Sequence, residues 1–582
     1  MANSMGSLFI GESGIKTSQN ALNATANNFA NVDTKGYVRE RVLQEDKHYD
    51  TFKRSVAIGP AQSGLGVSIG DVIHARDIFL DKTFRTQSGR SGFYSTTYEA
   101  ISEAETLFQE LQGTAFQEVL DSEESSFWVA FQEFAKDPSD RANQNLVIEK
   151  AGLFASRSKA VYNGLKTYQS NLNQQISDAM DEIYEIGEAI RELNINIMRI
   201  EAGGVETAMD LRDQRDLLLD ELAVYGNVSC KELSNGIVKV NFEGVPLVDE
   251  LRVYQMGKQI DKETGFITPY WPQLSNTEKG EYYKVYDVSA EISTAKKNDI
   301  GSLKALVLAR GYKNANYMDL QGVSMDEYDA TLGNSVMMNV EAELDMLVHT
   351  IVKSINDLFA PNIKSDTAIT GTDENGNAVS FPPGTLVLDS ENCCVGADEK
   401  LPPQELFVRT GCSRYTTVNG DDGKTYYVYN EEDPSDTAMQ YTIGSIKVNP
   451  ELMESESKLP AFSQRGKDDD LPVAYKLGEA LAELWNQDSM FLSPHDTTPC
   501  TFSEFYAKMT GELVTLGNVF GSTARGLEGT VLATDNARQQ VIGVSSDEEL
   551  TNMIKFQNAY NASSRFINVI SEMIETIIYR MG

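Results

Sequence analysis

The chain has 582 residues, and 50 Lys and Arg against 86 Asp and Glu give a formal net charge of −36. That balance repels nucleic acid and anionic membrane surfaces, and no run of eighteen or more apolar residues is present to cross a bilayer. The opening "MANSMGSLFIGESGIK" has no basic leader before an apolar stretch, so it reads as no secretory signal, and the length allows several domains.

In the first segment Leu8, Ile15, Leu22 and Phe29 recur at intervals of seven, with Met5 and Ala26 beside them, which predicts a narrow coiled-coil stripe. The remaining positions are Ser, Thr, Asn, Gln and Gly. Such a helix is weak by propensity and needs a partner. It stops in "ANNFANVDTKGYVRERV" (26–42), where Asn and Asp compete for backbone hydrogen bonds, Gly36 supplies a left-handed conformation, and a basic strand-like run follows. "GLGVSIG" (64–70) has the glycines of a phosphate loop but no Lys-Ser/Thr, and reads as a turn.

The most regular pattern lies in "LKTYQSNLNQQISDAMDEIYEIGEAIRELNINIMRI", which sets Leu165, Leu172, Ala179, Ile186, Leu193 and Ile200 against Ile176, Ile183, Ile190 and Ile197. It is expected to pack inside a helical body rather than to serve as an assembly surface. After the Gly203-Gly204 break, "AMDLRDQRDLLLDELAVYG" continues helical to Gly226. Its Arg212 and Arg215 among Asp210, Asp213, Asp216 and Asp220 read as surface ion pairs at i+3 and i+4 spacing, not as catalytic carboxylates. "GIVKVNFEGVPLVD" alternates as strands do, with a turn at Gly244.

Helical patterns resume at about Met325 to Phe359, Leu471 to Asn486 and Thr501 to Gln540. The stretch between them, 361–469, is rich in strand and turn signals such as "GTLVLD" and "RYTTVNGDDGKTYYVYN". Cys230, Cys393, Cys394, Cys412 and Cys500 form no CxxC pair and suggest no disulfide framework. Together with His495 they fit no ordinary zinc spacing, and none of His48, His74, His349 and His495 sits in HExxH. No catalytic residue, metal or cofactor is expected. In the tail Met553, Tyr560, Ile567, Ile574 and Met581 recur every seven residues, Phe556, Ile570 and Ile577 fill the complementary seam, and Ser563 is polar.

The expected fold is mainly α with a β-rich insert. Residues 1–50 with 545–582 form a terminal coiled coil. Residues 51–360 with 470–544 form a discontinuous helical-bundle body that includes a β region near 228–298, and 361–469 form an outer β domain. The candidate functional residues are an assembly seam made of Leu8, Ile15, Leu22, Phe29, Met553, Tyr560, Ile567, Ile570, Ile574 and Ile577.

"ANNFANVDTKGYVRERV" followed by "GLGVSIGDVIHARDIFLDKTFRTQSG" resembles the N-terminal signature of flagellar axial proteins of rod, hook and junction. Within that group "FQEFAKDPSDRANQNLVIEKAGLFASR", "DLRDQRDLLLDELA", "GSLKALVLARG" and the tail from "GVSSDEELTNMIKFQNAYNASSRFINVISEMIETII" resemble the FlgK family of hook-associated proteins. The likeness covers roughly 1–360 and 470–582 and leaves the insert unmatched. It implies a structural, non-enzymatic protein of the hook-filament junction, outside the cell, exported unfolded by the flagellar type III route without a cleaved signal peptide. It also implies pairing of the two terminal helices along an inner tube, self-assembly, and contacts with the hook protein and a second junction protein. A cytosolic export chaperone is implied at the C-terminal helix, with no nucleic acid and no membrane insertion. Another axial protein of hook or distal rod type, or an axial scaffold carrying an extracellular enzyme in its insert, are the competing readings.

Overall fold

The computed structural model describes residues 2–47, 66–74, 76–109, 115–203, 207–464 and 472–581; His48, Gly64, Leu65 and Gly204 fall outside them. The helices in the first half of the chain are α1 (Ala2–Ala30), α2 (Ile78–Gln109), α3 (Phe116–Asp121), α4 (Phe127–Lys136), α5 (Arg141–Glu201) and α6 (Met209–Tyr225). In the second half they are α7 (Ser302–Arg310), α8 (Met325–Ala330), α9 (Val336–Phe359), α10 (Pro450–Glu454), α11 (Tyr475–Glu483), α12 (Phe502–Ile542) and α13 (Ser546–Met581). Two compact units result: Met1–Gly92 with Asp181–Gln255 and Arg525–Gly582, and Phe93–Met180 with Met256–Ala524.

In the first unit α1 and α13 run antiparallel. A hairpin of Glu40–Asp46 with Val67–His74 lies beside α1. Residues 67–70, expected as a turn, are therefore strand. Gly66 sits at φ +95° where a Cβ would come 2.2 Å from Ser13 Oγ on α1, so the chain approaches the helix too closely for any side chain. A three-stranded meander, Val228–Glu232, Val238–Phe242 and Val245–Val248, buries Val238, Val240 and Phe242 and leaves Lys239 and Asn241 half-buried, as their alternation predicts.

The heptad stripe of α5 explains its own limit. A straight helix drifts about 20° per heptad against a strict seven-residue repeat. Leu165, Leu172, Ile183, Ile190 and Ile197 are fully or almost fully buried, but Leu193 is only half-buried and Ile200 is exposed, while the neighbouring Asn194 has rotated into the interior. The helix also begins much earlier than the stripe, at Arg141.

The second unit has an aromatic core in which Phe127 packs on Phe131, Phe154, Phe407 and Trp485 at ring separations of 4.9 to 6.0 Å. The single helix expected from Met325 to Phe359 is two, α8 and α9, because residues 331–335 leave the helical path and Ser335 opens a new helix start. The insert holds a six-stranded antiparallel sheet in the order Ala378–Phe381, Ile369–Asp373, Tyr415–Gly420, Thr425–Tyr429, Leu386–Leu388 and Asn362–Lys364. It is fastened to α9 by polar side chains that read backbone. Asn356 donates from Nδ2 to Phe407 O (2.8 Å) and accepts at Oδ1 from Leu406 and Phe407 N–H. Asp345 accepts from Ile443 N–H at 2.7 Å and from Tyr317 N–H at 3.0 Å. Glu341 accepts from Ala315 N–H at 3.0 Å and from the Gln169 amide at 3.2 Å.

Burial pushes Glu341 up to about 8 and Asp345 up to about 7, against the lowering effect of these hydrogen bonds. A carboxyl whose value is raised by folding stabilises fully below its unfolded value and loses that contribution as pH rises through the folded one. The melting temperature of the second unit is therefore expected to fall from about pH 5 to about pH 8. Glu341→Gln should flatten the slope; calorimetry across that range checks it, and an unchanged slope would show that Glu341 does not titrate with folding.

Candidate functional site

The end of α1 is held by its own amides. Asn28 is 2 % exposed and has every hydrogen-bonding position used. Its Oδ1 accepts from Glu40 N–H and Tyr37 Oη–H, both at 2.9 Å, and its Nδ2 donates to Glu40 O at 3.0 Å and to Glu549 Oε2 at 3.3 Å. Asn31 donates to Asn27 O and accepts from Thr34. Gly36, at φ +83°, lets the chain turn against Leu217 of α6. Arg39 then donates to Glu549 and Glu548 at the start of α13, each at 2.7 Å, and its N–H donates to Ile542 O at the end of α12. The Asn-rich stop is thus a lock between the two ends of the chain.

Along the coil, α1 meets α13 through small residues. A Cβ on Gly11 would lie 2.5 Å from Ile567 Cγ1, and one on Gly14 would lie 2.6 Å from Ser563 Oγ. Ser18, Ala21, Thr25 and Asn28 continue that face at spacings of three and four and are buried. The seam on α1 is therefore displaced from the expected one. Leu8, Ile15 and Leu22 flank it half-buried, and Phe29 is exposed. Small residues let two helix axes come closer than apolar ones would, so Gly11 and Gly14 set the separation and the larger residues pack at the edges. On α13 the expected stripe does turn inward: Met553, Ile567, Ile570 and Ile574 are half-buried, with Tyr560 and Ile577 more exposed at its margin. Ser563, the polar member of that stripe, is the residue that meets Gly14.

Behind the coil stands α6. Its charges are expected as surface pairs within the helix, and the structure corrects this: Asp213, Arg215 and Asp220 are buried, Arg212 and Asp216 are half-buried, and all five reach other elements, while Asp210 is exposed. Asp213 accepts from Val38 N–H at 2.9 Å and pairs with His74 at 3.0 Å. Asp216 pairs with Arg76 and Arg85. Asp220 receives Arg85 at 2.7 Å and Arg538 of α12 at 2.6 Å. Arg212 bridges Glu201 and Glu232, and its hydrogen bond holds the Glu201 carboxyl below the usual range. Arg215, 2 % exposed, donates to Asn194 Oδ1 and Gly236 O, and burial lowers it to about 10. Asn194 in turn pairs with both backbone groups of Val238. The spacing of these charges carries no signal for their burial, and the helix keeps an exposed polar face at Asp210, Gln214 and Glu221.

All five cysteines are free thiols, and Cys500 donates to Met490 O. Among the described residues no three His, Cys, Asp or Glu side chains come together as a metal site, and no helix is long and apolar enough to cross a membrane.

Three family models match the chain: the flagellar hook-associated protein FlgK helical domain over residues 101–373, the flagellar basal body rod FlgEFG protein C-terminal over 540–579, and the flagella basal body rod protein over 8–37. Flagellar hook-associated protein 1 of Bacillus subtilis is 25 % identical across 98 % of this chain and 96 % of its own length. The protein of that name from Salmonella typhimurium is 22 % identical across 97 % of this chain and 98 % of its own. A solved structure, the flagellar hook junction protein FlgK from Burkholderia pseudomallei, aligns with 79 % of this chain and all of its own at 13 % identity and a TM-score of 0.48.

Two substitutions test the geometry. Gly11→Leu places a branched side chain where α13 already sits, so amide exchange across residues 2–30 is expected to accelerate while that of α9 is unchanged. Protection equal to wild type would mean that the coil tolerates a wider separation. Arg215→Ala leaves Gly236 O and one acceptor position of Asn194 Oδ1 without a buried donor and should cost the first unit on the order of 1–3 kcal/mol in denaturant unfolding; a loss below about 0.5 kcal/mol would remove Arg215 from the lock.

Proposed function

Because the chain belongs to the family of flagellar hook-associated protein 1, structural components of the flagellum at the junction of hook and filament, we propose that its self-assembly is carried by the coil of α1 and α13. The observation that carries this is the apolar surface the pair leaves open. Phe9 is 60 % exposed, Ile554 61 %, Val569 52 %, Met573 55 %, Ile578 65 % and Tyr579 81 %. A two-helix coil cannot cover its own outer faces, and large side chains grouped in this way mark a surface awaiting a partner. Copies of one chain that continue beyond a dimer need heterologous contacts, in which the outer face of α13 meets a different face of the next copy.

The partners proposed with this reading are the hook protein on one side and a second junction protein on the other. Export is proposed to be unfolded, without a cleaved signal peptide, with a cytosolic chaperone covering the tail beforehand. An apolar tail of this kind favours capture until assembly hides it. Deletion of residues 547–582 should abolish co-purification with that chaperone, and undiminished capture would remove it from the scheme. The assembly role of Leu8, Ile15, Leu22, Phe29, Met553, Tyr560, Ile567, Ile570, Ile574 and Ile577 divides under this proposal. The half-buried members hold the coil of one copy together, and the exposed residues beside them meet the neighbours.

The experiment follows from that division. Ile567 touches α1, so changing it would disturb one molecule and the assembly alike. Val569→Asp with Met573→Asp changes only the open face and should leave monomer melting unchanged. Each carboxylate would have to be desolvated on docking, a cost on the order of several kcal/mol per contact. Purified double variant added to isolated hooks is expected not to cap them, as seen by electron microscopy. Capping at the wild-type level would show that this face is not the assembly surface.

A further inference from the structure

Of the three acidic side chains in "EAELD" (341–345), two have structural partners, since Glu341 and Asp345 each accept a backbone N–H. Glu343 has none of that kind. It is 2 % exposed and lines a cavity of about 150 Å³ whose walls include Phe93, Ile101, Leu308, Met509, Leu513 and Phe520. One oxygen, Oε1, accepts from Asn339 Nδ2 at 2.7 Å, and the Asn339 amide is itself oriented by Tyr328 Oη–H donating to its Oδ1 at 2.9 Å. Oε2 takes no hydrogen bond from any described residue.

The charged groups around it do not supply a counter-ion. Glu512 of α12 and Asp496 in the segment before it both add negative potential at Glu343, and Lys508 of α12 lies near Glu512 instead. The walls from α2 and α7 contribute Phe93, Thr97, Ile101, Leu308 and Ala309 and no charge. An oriented, buried carboxyl with a free oxygen therefore faces a mainly apolar space, which Thr97, Asn334 and Ser335 also line. An apolar cavity of this size takes a ring as large as benzene.

We propose that this cavity is a binding site for a small apolar ammonium ion, with the Glu343 carboxylate as its counter-ion and the rings of Phe93 and Phe520 as its walls. Aromatic walls attract a desolvated cation as well as its hydrocarbon part. The exposed Glu512 carboxylate, also on the lining, adds attraction for a cation entering. Burial, with Glu512 and Asp496 nearby, holds the Glu343 carboxyl well above the usual range, which favours its protonated form in the absence of a cation. To the extent that the carboxyl is protonated, binding of R–NH3+ converts it to a carboxylate and releases its proton to solvent, with only the O–H bond broken. Affinity must accordingly rise with pH for as long as the ligand remains an ammonium ion.

Isothermal titration of the full chain with benzylammonium chloride and with benzyl alcohol, at about pH 6 and about pH 8, tests this. The expected result is saturable benzylammonium binding, at least about tenfold tighter than benzyl alcohol and tightening with pH. Glu343→Gln should erase both the preference and the pH slope. Leu516→Trp, placed on the lining, should block both ligands with the fold intact by circular dichroism, and it decides the location should the Gln variant fail to fold. Equal affinity for the two ligands, no saturable binding, a preference without a pH slope, or benzylammonium binding that survives Leu516→Trp would each overturn the proposal.

Discussion

The first unit depends on burying charge along α6. Taking Asp213, Asp220 and Arg215 out of water is unfavourable unless each finds a partner, and the partners come from segments far apart in the chain: Val38, His74, Arg85, Asn194, Gly236 and Arg538. No subset of them satisfies the helix. The exit of α1, the hairpin, α2, the end of α5, the meander and the end of α12 must therefore arrive together. A chain whose two ends belong to one structure needs such a condition, because nothing local brings residue 38 to residue 549. Arg39 adds the last link by pairing with the buried Glu549 at the root of α13.

The coil is built on the opposite principle. Its α1 seam of Gly, Ser, Ala, Thr and Asn buries little apolar area, so the pair gains less from hydrophobic transfer than a leucine seam would. What it gains is closeness, and closeness leaves the bulky residues at the edges and on the outer face, where they remain in water in a single copy. A strong lock at the root and a weak, sticky shaft beyond it belong together. The lock keeps the two helices in register, and the shaft leaves apolar surface unsatisfied, which under the proposed assembly favours the next subunit over solvent.

Periodic apolar residues made much of this legible in advance. The stripe of α13, the long heptads of α5, the strand alternation at Val238 to Phe242 and the β-rich insert all follow from spacing alone, because burial of one face imposes a period. The misreadings share a cause. Gly11, Gly14 and Ser18 carry the α1 seam at the same three-and-four spacing, but a reading weighted toward large apolar residues settles on Leu8, Ile15 and Leu22 one position around the helix. In α6 the i+3 and i+4 spacing of opposite charges is real, yet spacing within a helix cannot show that Arg85 and Arg538, from two other helices, both pair with Asp220. The break before α9 was hidden because apolar residues continue across it, although Gly333 and Asn334 mark it.

Attachment of the β-rich insert shows how a long segment can be fixed with few constraints on its own side chains. Asn356 and Asp345 recognise backbone N–H and C=O groups of residues 406, 407 and 443, which every residue but proline presents alike. The contact therefore specifies the path of the insert and not its composition at those positions. Arg414 makes the reverse connection, reaching from the insert to Asp357 and Ala360 O at the end of α9. Because Asn356, Asp345 and Arg414 are buried, losing one partner leaves an unpaired polar atom in the interior, so the clamp resists loosening, with Arg414 the side chain that the insert itself supplies to it. The surface strands beyond the clamp are left free to differ, while the helix that carries them stays in register with the rest of its unit.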